Sequence, residues 1–153
     1  MKRRQFIASA AALGATAALP HVHANTKLTL TPTLEKLARA YAAGALPTVG
    51  RVTVDIAPLV ENGNSVPVEI TVQSPMTATD HVVGIALFND KNPQHDVAVF
   101  TLTPALARAR VSTRIRLAMS QQLVAVAKMN DGSTFMQPVE VLVTLASCLE
   151  EDA

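Results

Sequence analysis

The stretch Val66–Val72, VPVEITV, alternates without a break: Val66, Val68, Ile70 and Val72 fall on one side, Pro67, Glu69 and Thr71 on the other. A two-residue period puts the four β-branched residues on one face of an extended chain, so the stretch reads as a strand buried on one side. Upstream the pattern recurs, with Val52, Val54 and Ile56 set against Arg51, Thr53 and Asp55. Downstream come HVVGIALF (81–88), VAVFTL (97–102), VSTRIRLA (111–118), QLVAVAKM (122–129) and VEVLVTL (139–145). Turn formers punctuate the gaps: Glu61-Asn62-Gly63-Asn64, Ser74-Pro75, residues 89–93 and Asn130-Asp131-Gly132. Asn62-Gly63 and Asp131-Gly132 are strong turn signals. Roughly seven short strands at this spacing predict an all-β sandwich. Tryptophan is absent and the chain holds one cysteine, so small aliphatic side chains must fill the interior.

One segment breaks the rule. TLEKLARAYAAG (33–44) places Leu34, Leu37, Ala38 and Tyr41 at helical spacing. Thr31 or Thr33 is positioned to cap this short N-terminal helix, and Gly44 to end it. A helix this short needs a surface to pack on. In TPALARARVSTRIRLA (103–118) a helical turn around Leu106 gives way to strand at Val111, Thr113 and Ile115. Arg114 and Arg116 share one face there, opposite Ile115 and Leu117, and turn either to solvent or to an anionic partner.

The ends of the chain carry a different kind of information. Lys2, Arg3 and Arg4 precede a small apolar run from Phe6 to Leu19, and Val22 and Ala24 give a small-residue cleavage pattern. Residues 1–24 therefore read as a signal peptide, too short and alanine-rich for a membrane anchor. The paired arginines before Gln5-Phe6-Ile7 point to the twin-arginine type, which exports folded proteins, and hence to the periplasm. Residues 25–145 are then the sandwich domain and residues 146–153 a C-terminal tail. The whole chain has 13 Lys+Arg and 12 Asp+Glu, and removing the three leader cations leaves 10 against 12. A slight negative balance gives no support for nucleic-acid binding.

The tail, ASCLEEDA, holds the sole cysteine, Cys148. With no internal partner it is buried and inert, joined to another chain, or kept for chemistry. It lies three residues past the last alternating strand, roughly 10 Å of extended chain. Glu150, Glu151 and Asp152 follow it, and their charge disfavours the thiolate. His81 and His95 are the remaining candidates for chemistry. His95 is followed by Asp96, and a zinc or copper site would need both histidines and Cys148 to meet. No glycine-rich phosphate loop and no nucleophile–histidine–carboxylate arrangement is readable, so the sequence implies no cofactor and no catalytic residue of its own.

VTVDIAPLVENGNSVPVEITVQSPM (52–76), HVVGIALFNDKNPQHDVAVFTLTP (81–104), VSTRIRLAMSQQLVAVAKMNDG (111–132) and VEVLVTLASC (139–148) together resemble SoxY, the sulfur-carrier subunit of the bacterial thiosulfate-oxidising (Sox) system. The most specific pieces are ENGNSVPV (61–68), KNP (91–93) and STRIRLA (112–118). The resemblance implies an immunoglobulin-like β-sandwich that pairs with a second sandwich subunit, SoxZ. It implies a carrier rather than an enzyme, with sulfur species held covalently on a C-terminal cysteine, here Cys148. Sulfur-oxidising enzymes and c-type cytochromes would be its further partners. The short helix, with its apolar face, points the same way, to a heterodimer. The family tail is typically Gly-Gly-Cys-Gly-Gly, where this chain has Ala146-Ser147-Cys148-Leu149-Glu150. That difference leaves a second reading open, an assembly subunit that keeps the SoxZ-type interface without carrier chemistry.

Overall fold

The computed structural model describes residues 28–145. The signal-peptide reading and the cysteine-bearing tail lie outside the described residues. One helix, α1 (Pro32–Tyr41), precedes nine strands: β1 (Thr48–Val49), β2 (Val52–Asp55), β3 (Leu59–Asn62), β4 (Val66–Val72), β5 (Val82–Asn89), β6 (Asp96–Thr101), β7 (Ala109–Ile115), β8 (Gln121–Met129) and β9 (Thr134–Leu145). They form a six-stranded sheet, in order β1-β9-β8-β5-β6 with β3 also on β9, and a three-stranded sheet, β2-β4-β7. The immunoglobulin-like β-sandwich with a short helix is the architecture expected.

The alternation of β4 is realised residue by residue, with Val66, Val68, Ile70 and Val72 buried between the sheets. They meet Ile85 and Leu87 of β5, Leu123, Ala125 and Ala127 of β8, and Val141 of β9. β5 and β8 are buried on both faces, which is why VVGIALFN and QQLVAVAKM run apolar almost continuously. Their second face is covered by α1, whose Leu34 and Ala38 sit against Ala86, Phe88, Val124, Val126 and Met136. Tyr41 closes this layer edge-on to Phe88, its hydroxyl over Gly84, where a Cβ would come within 2.5 Å of the oxygen. The apolar face of the helix is thus covered by its own sheet and is not a surface for a second subunit. Its N-cap, Thr31, makes no side-chain cap bond, and the helix opens through Pro32 instead.

Two strands escape the sequence pattern. Residues 48–62 cross between the sheets twice: β1 lies on β9, β2 on β4, and β3 on β9 again. The first crossing turns at Gly50 and Arg51, whose φ angles are 136° and 56°. Asn62-Gly63, read as a turn signal, does turn the chain, and hands it from the large sheet to the small one, since β3 and β4 do not pair. Asp131-Gly132 does close a hairpin, between β8 and β9, with Gly132 at φ 87°. β9 runs straight through Pro138. That proline falls between the stretches paired to β1 and to β3, so no strand on that edge needs its missing N–H.

Candidate functional site

The last strand determines where the tail begins, and the end of β9 is held on both edges. On one side β3 pairs with it in parallel, Leu59 opposite Leu142 and Asn62 opposite Leu145. The Thr144 hydroxyl adds a bond to the Glu61 carbonyl at 3.1 Å. On the other side the Val143 N–H donates to Ser120 Oγ at 2.8 Å, and the same hydroxyl faces the Val143 carbonyl at 3.3 Å. The chain therefore leaves the sandwich from a fixed point, and Cys148 follows Leu145 by three residues in sequence. Cys148 itself lies outside the described residues.

The three specific sequence pieces converge around this point. Gly63, from ENGNSVPV, accepts a bond on its carbonyl from the Leu117 N–H at 2.9 Å. A Cβ on Gly63 would stand 2.2 Å from the Leu117 carbonyl oxygen, so only glycine permits this approach. Asn92, from KNP, binds the segment on the other side of Leu117. Its Nδ2 donates to the Arg116 carbonyl at 2.8 Å, and its Oδ1 accepts from the Ala118 N–H at 2.9 Å and from Gln121 Nε2 at 2.8 Å. Asn89, 1% exposed, accepts from the Asn92 N–H and donates to the Gln94 carbonyl. A buried amide network satisfied in this way fixes its loops against one another. Ser120 and Gln121 were not singled out from the sequence, and Asn89 and Asn92 only as part of a turn and of the KNP piece. The one available signal was asparagine and glutamine at the ends of apolar strands.

The arginines of β7 divide into two kinds. Arg110 forms an ion pair with Glu69 across the β4–β7 register, at 2.5 Å, and Ser112 Oγ donates to the same carboxylate at 3.0 Å. The Arg110 guanidinium, first, and the Ser112 hydroxyl hold the Glu69 carboxyl below the usual carboxylate range. Arg114 and Arg116 are exposed and form no ion pair among the described residues.

The two histidines do not meet. His81 precedes β5, its Nδ1 2.9 Å from the Thr77 carbonyl, while His95 sits beyond the far end of that strand, its carbonyl accepting from the Asn89 N–H. Eight strand residues separate them, so a site built from His81, His95 and Cys148 cannot form. Among the described residues no three His, Cys, Asp or Glu side chains stand together as metal ligands.

Comparison with known proteins follows the same lines. The sequence model of the family described as "Sulfur oxidation protein SoxY" matches residues 37–148. No curated protein sequence matches. Among solved structures, the sulfur carrier protein SoxY from Chlorobium limicola f. thiosulfatophilum is similar at 25% identity and a TM-score of 0.60, covering 72% of this chain and 90% of that one. A superoxide reductase (neelaredoxin) from Ignicoccus hospitalis is similar at 18% identity and a TM-score of 0.55, covering 78% and 98%. The superoxide reductase from Nanoarchaeum equitans follows at 11% identity and 0.53, covering 62% and 99%. At these identities the two reductases share the fold alone.

Proposed function

Because the chain belongs to the SoxY family of sulfur oxidation proteins, we propose that it is a covalent sulfur carrier loaded on Cys148. The observation that carries this reading is the anchored end of β9. Hydrogen bonds on both edges hold the strand to Leu145, three residues before the sole cysteine. Such a root presents a thiol to a partner's pocket from a defined position, and the family match runs as far as Cys148.

The chemistry is that of a thiol. Joining thiosulfate to Cys148 makes one S–S bond and releases one proton and two electrons. An electron acceptor is therefore needed, and c-type cytochromes of the same system fill that role. Enzymes that oxidise or hydrolyse the bound sulfur act next, and the chain serves as their covalent scaffold rather than as an enzyme. Export by the twin-arginine route places it in the periplasm, paired with a SoxZ-like sandwich subunit.

Tetrathionate tests the assignment without a partner. The Cys148 thiolate attacks an inner sulfur, thiosulfate leaves, and a Cys–S–S–SO3⁻ adduct remains. Intact mass should rise by one S2O3 group and return on reduction, and Cys148→Ser should show no gain. The same adduct on the serine variant would rule the assignment out.

The ASCLEEDA tail favours a second reading, an assembly subunit without carrier chemistry. In protein isolated from the periplasm of actively oxidising cells, a free Cys148 thiol alongside a loaded second carrier would establish it.

A further inference from the structure

We propose that the cleft between the free edges of β6 and β7 binds a tetrahedral sulfur oxyanion, with Arg114 and Arg116 as its cationic donors. β6 ends the large sheet and β7 ends the small one. Where the two edges face each other they leave a cleft of about 260 Å³, lined by Asn92, Gln94, Asp96, Thr113, Arg114 and Arg116 among others. That space suits a small anion with its water and is below the usual size of organic-ligand pockets.

Neither donor is held by a carboxylate among the described residues. Arg110 is neutralised by Glu69, whereas among the described residues the Arg114 side chain donates only to Ser65 Oγ, at 3.5 Å, and the Arg116 side chain to none. A guanidinium offers parallel N–H groups that match two oxygens of a tetrahedral anion. Asp96 is the one carboxylate in the lining, so two cations face one anion there. The walls are already ordered: Asn92 bonds the Arg116 carbonyl, and Gln94 Nε2 donates to the Asp96 carbonyl at 3.2 Å. Little side-chain entropy beyond the two arginines is then lost on binding.

Sulfur chemistry enters through the proposed carrier function, on which this inference rests. Arg116 adjoins Leu117, whose N–H is bonded to Gly63, next to the Asn62–Leu145 pair that ends β9. The cleft supplies cations close to the root of a tail that is itself acidic. Its occupant is either free thiosulfate or sulfate, or the sulfonate end of an adduct on Cys148.

Nuclear magnetic resonance titration of the full mature Cys148→Ser protein tests the cleft apart from carrier chemistry. Thiosulfate or sulfate, replacing chloride at constant ionic strength, should shift the signals of Thr113, Arg114 and Arg116 saturably. Arg114→Gln with Arg116→Gln should weaken binding about tenfold or more, a loss of about 1.4 kcal/mol per factor of ten. Arg108→Gln should leave it unchanged. In wild-type protein loaded with tetrathionate and freed of excess reagent, the same shifts identify the tethered adduct as occupant. Shifts in the serine protein identify the free anion. Their absence from both overturns the proposal, as does a double variant that binds like Arg108→Gln. A wild type that loads while neither sample shifts would leave the carrier function standing and remove the cleft.

Discussion

Gly63 is the residue on which the root of the tail turns. Its carbonyl takes the Leu117 N–H, and a methyl group there would overlap the Leu117 carbonyl oxygen at 2.2 Å. The obstacle is backbone, which cannot swing aside as a side-chain end can. Gly63→Ala should therefore cost about 1–3 kcal/mol, as overpacking does. Thermal unfolding checks the cost. Amide exchange at Leu117 should rise with it, because the bond is local to the clash. An unchanged melting temperature would mean that the loop absorbs the methyl by moving. Asn92 belongs to the same scale. Its three side-chain bonds each go to a different partner, so no neighbour could replace it. An asparagine in such a place looks like any loop residue in sequence, because nothing local marks its partners 24 to 29 positions away.

Between strands, the clearest electrostatic element is the β4–β7 pair. Glu69 lies opposite Ser112 in the register, and Arg110 reaches it diagonally. Its carboxyl is held below its ordinary value of 4.5 by the Arg110 hydrogen bond and then by Ser112. A depressed folded-state value adds stability above the unfolded value, and that stability is lost as pH falls through the folded one. The stability gap between wild type and Arg110→Gln should thus hold steady from neutral pH down to about 4.5, the unshifted value, and close at lower pH. Denaturant titrations across that range read it directly. A gap that persists unchanged well below that range would assign it to packing of the arginine stem rather than to charge. The contribution is small, since the pair is open to water.

At the scale of the whole molecule, the two faces of the large sheet have different fates. One is closed by the small sheet and the other by α1 over β5 and β8. α1 does not reach all of it: Leu59 and Leu142, neighbours on β3 and β9, remain 58% and 52% exposed. An exposed apolar pair beside the tail root suits contact with another protein better than open water. Sedimentation of the mature chain co-expressed with a SoxZ-type subunit, the partner proposed for it, should give a 1:1 complex. Two separate monomers at micromolar concentration would count against it. The protein without a partner should form a Cys148-linked dimer under oxidation, which reductant dissolves and Cys148→Ser prevents. Among the described residues no helix is long and apolar enough to cross a membrane.

The sequence by itself determined which residues face inward. The period of two in VPVEITV and its counterparts is a local property, and burial of one strand face follows from it wherever the strand ends up. The helix over Leu34–Tyr41 was legible for the same reason, through its period of 3.6. Family membership was legible through ENGNSVPV, KNP and STRIRLA, although their purpose was not. Tertiary structure alone decided that these three pieces meet around the end of β9, since each bond among them joins positions far apart in the chain. It alone decided that residues 48–62 cross between sheets, because β1 and β3, two and four residues long, carry no alternating pattern of their own. It also separated His81 from His95 by the length of β5, and set Arg114 and Arg116 apart from Arg110. Spacing along the chain gives the face of a residue, while what that face meets depends on strand order, and strand order is fixed only when the sheets close on a shared core.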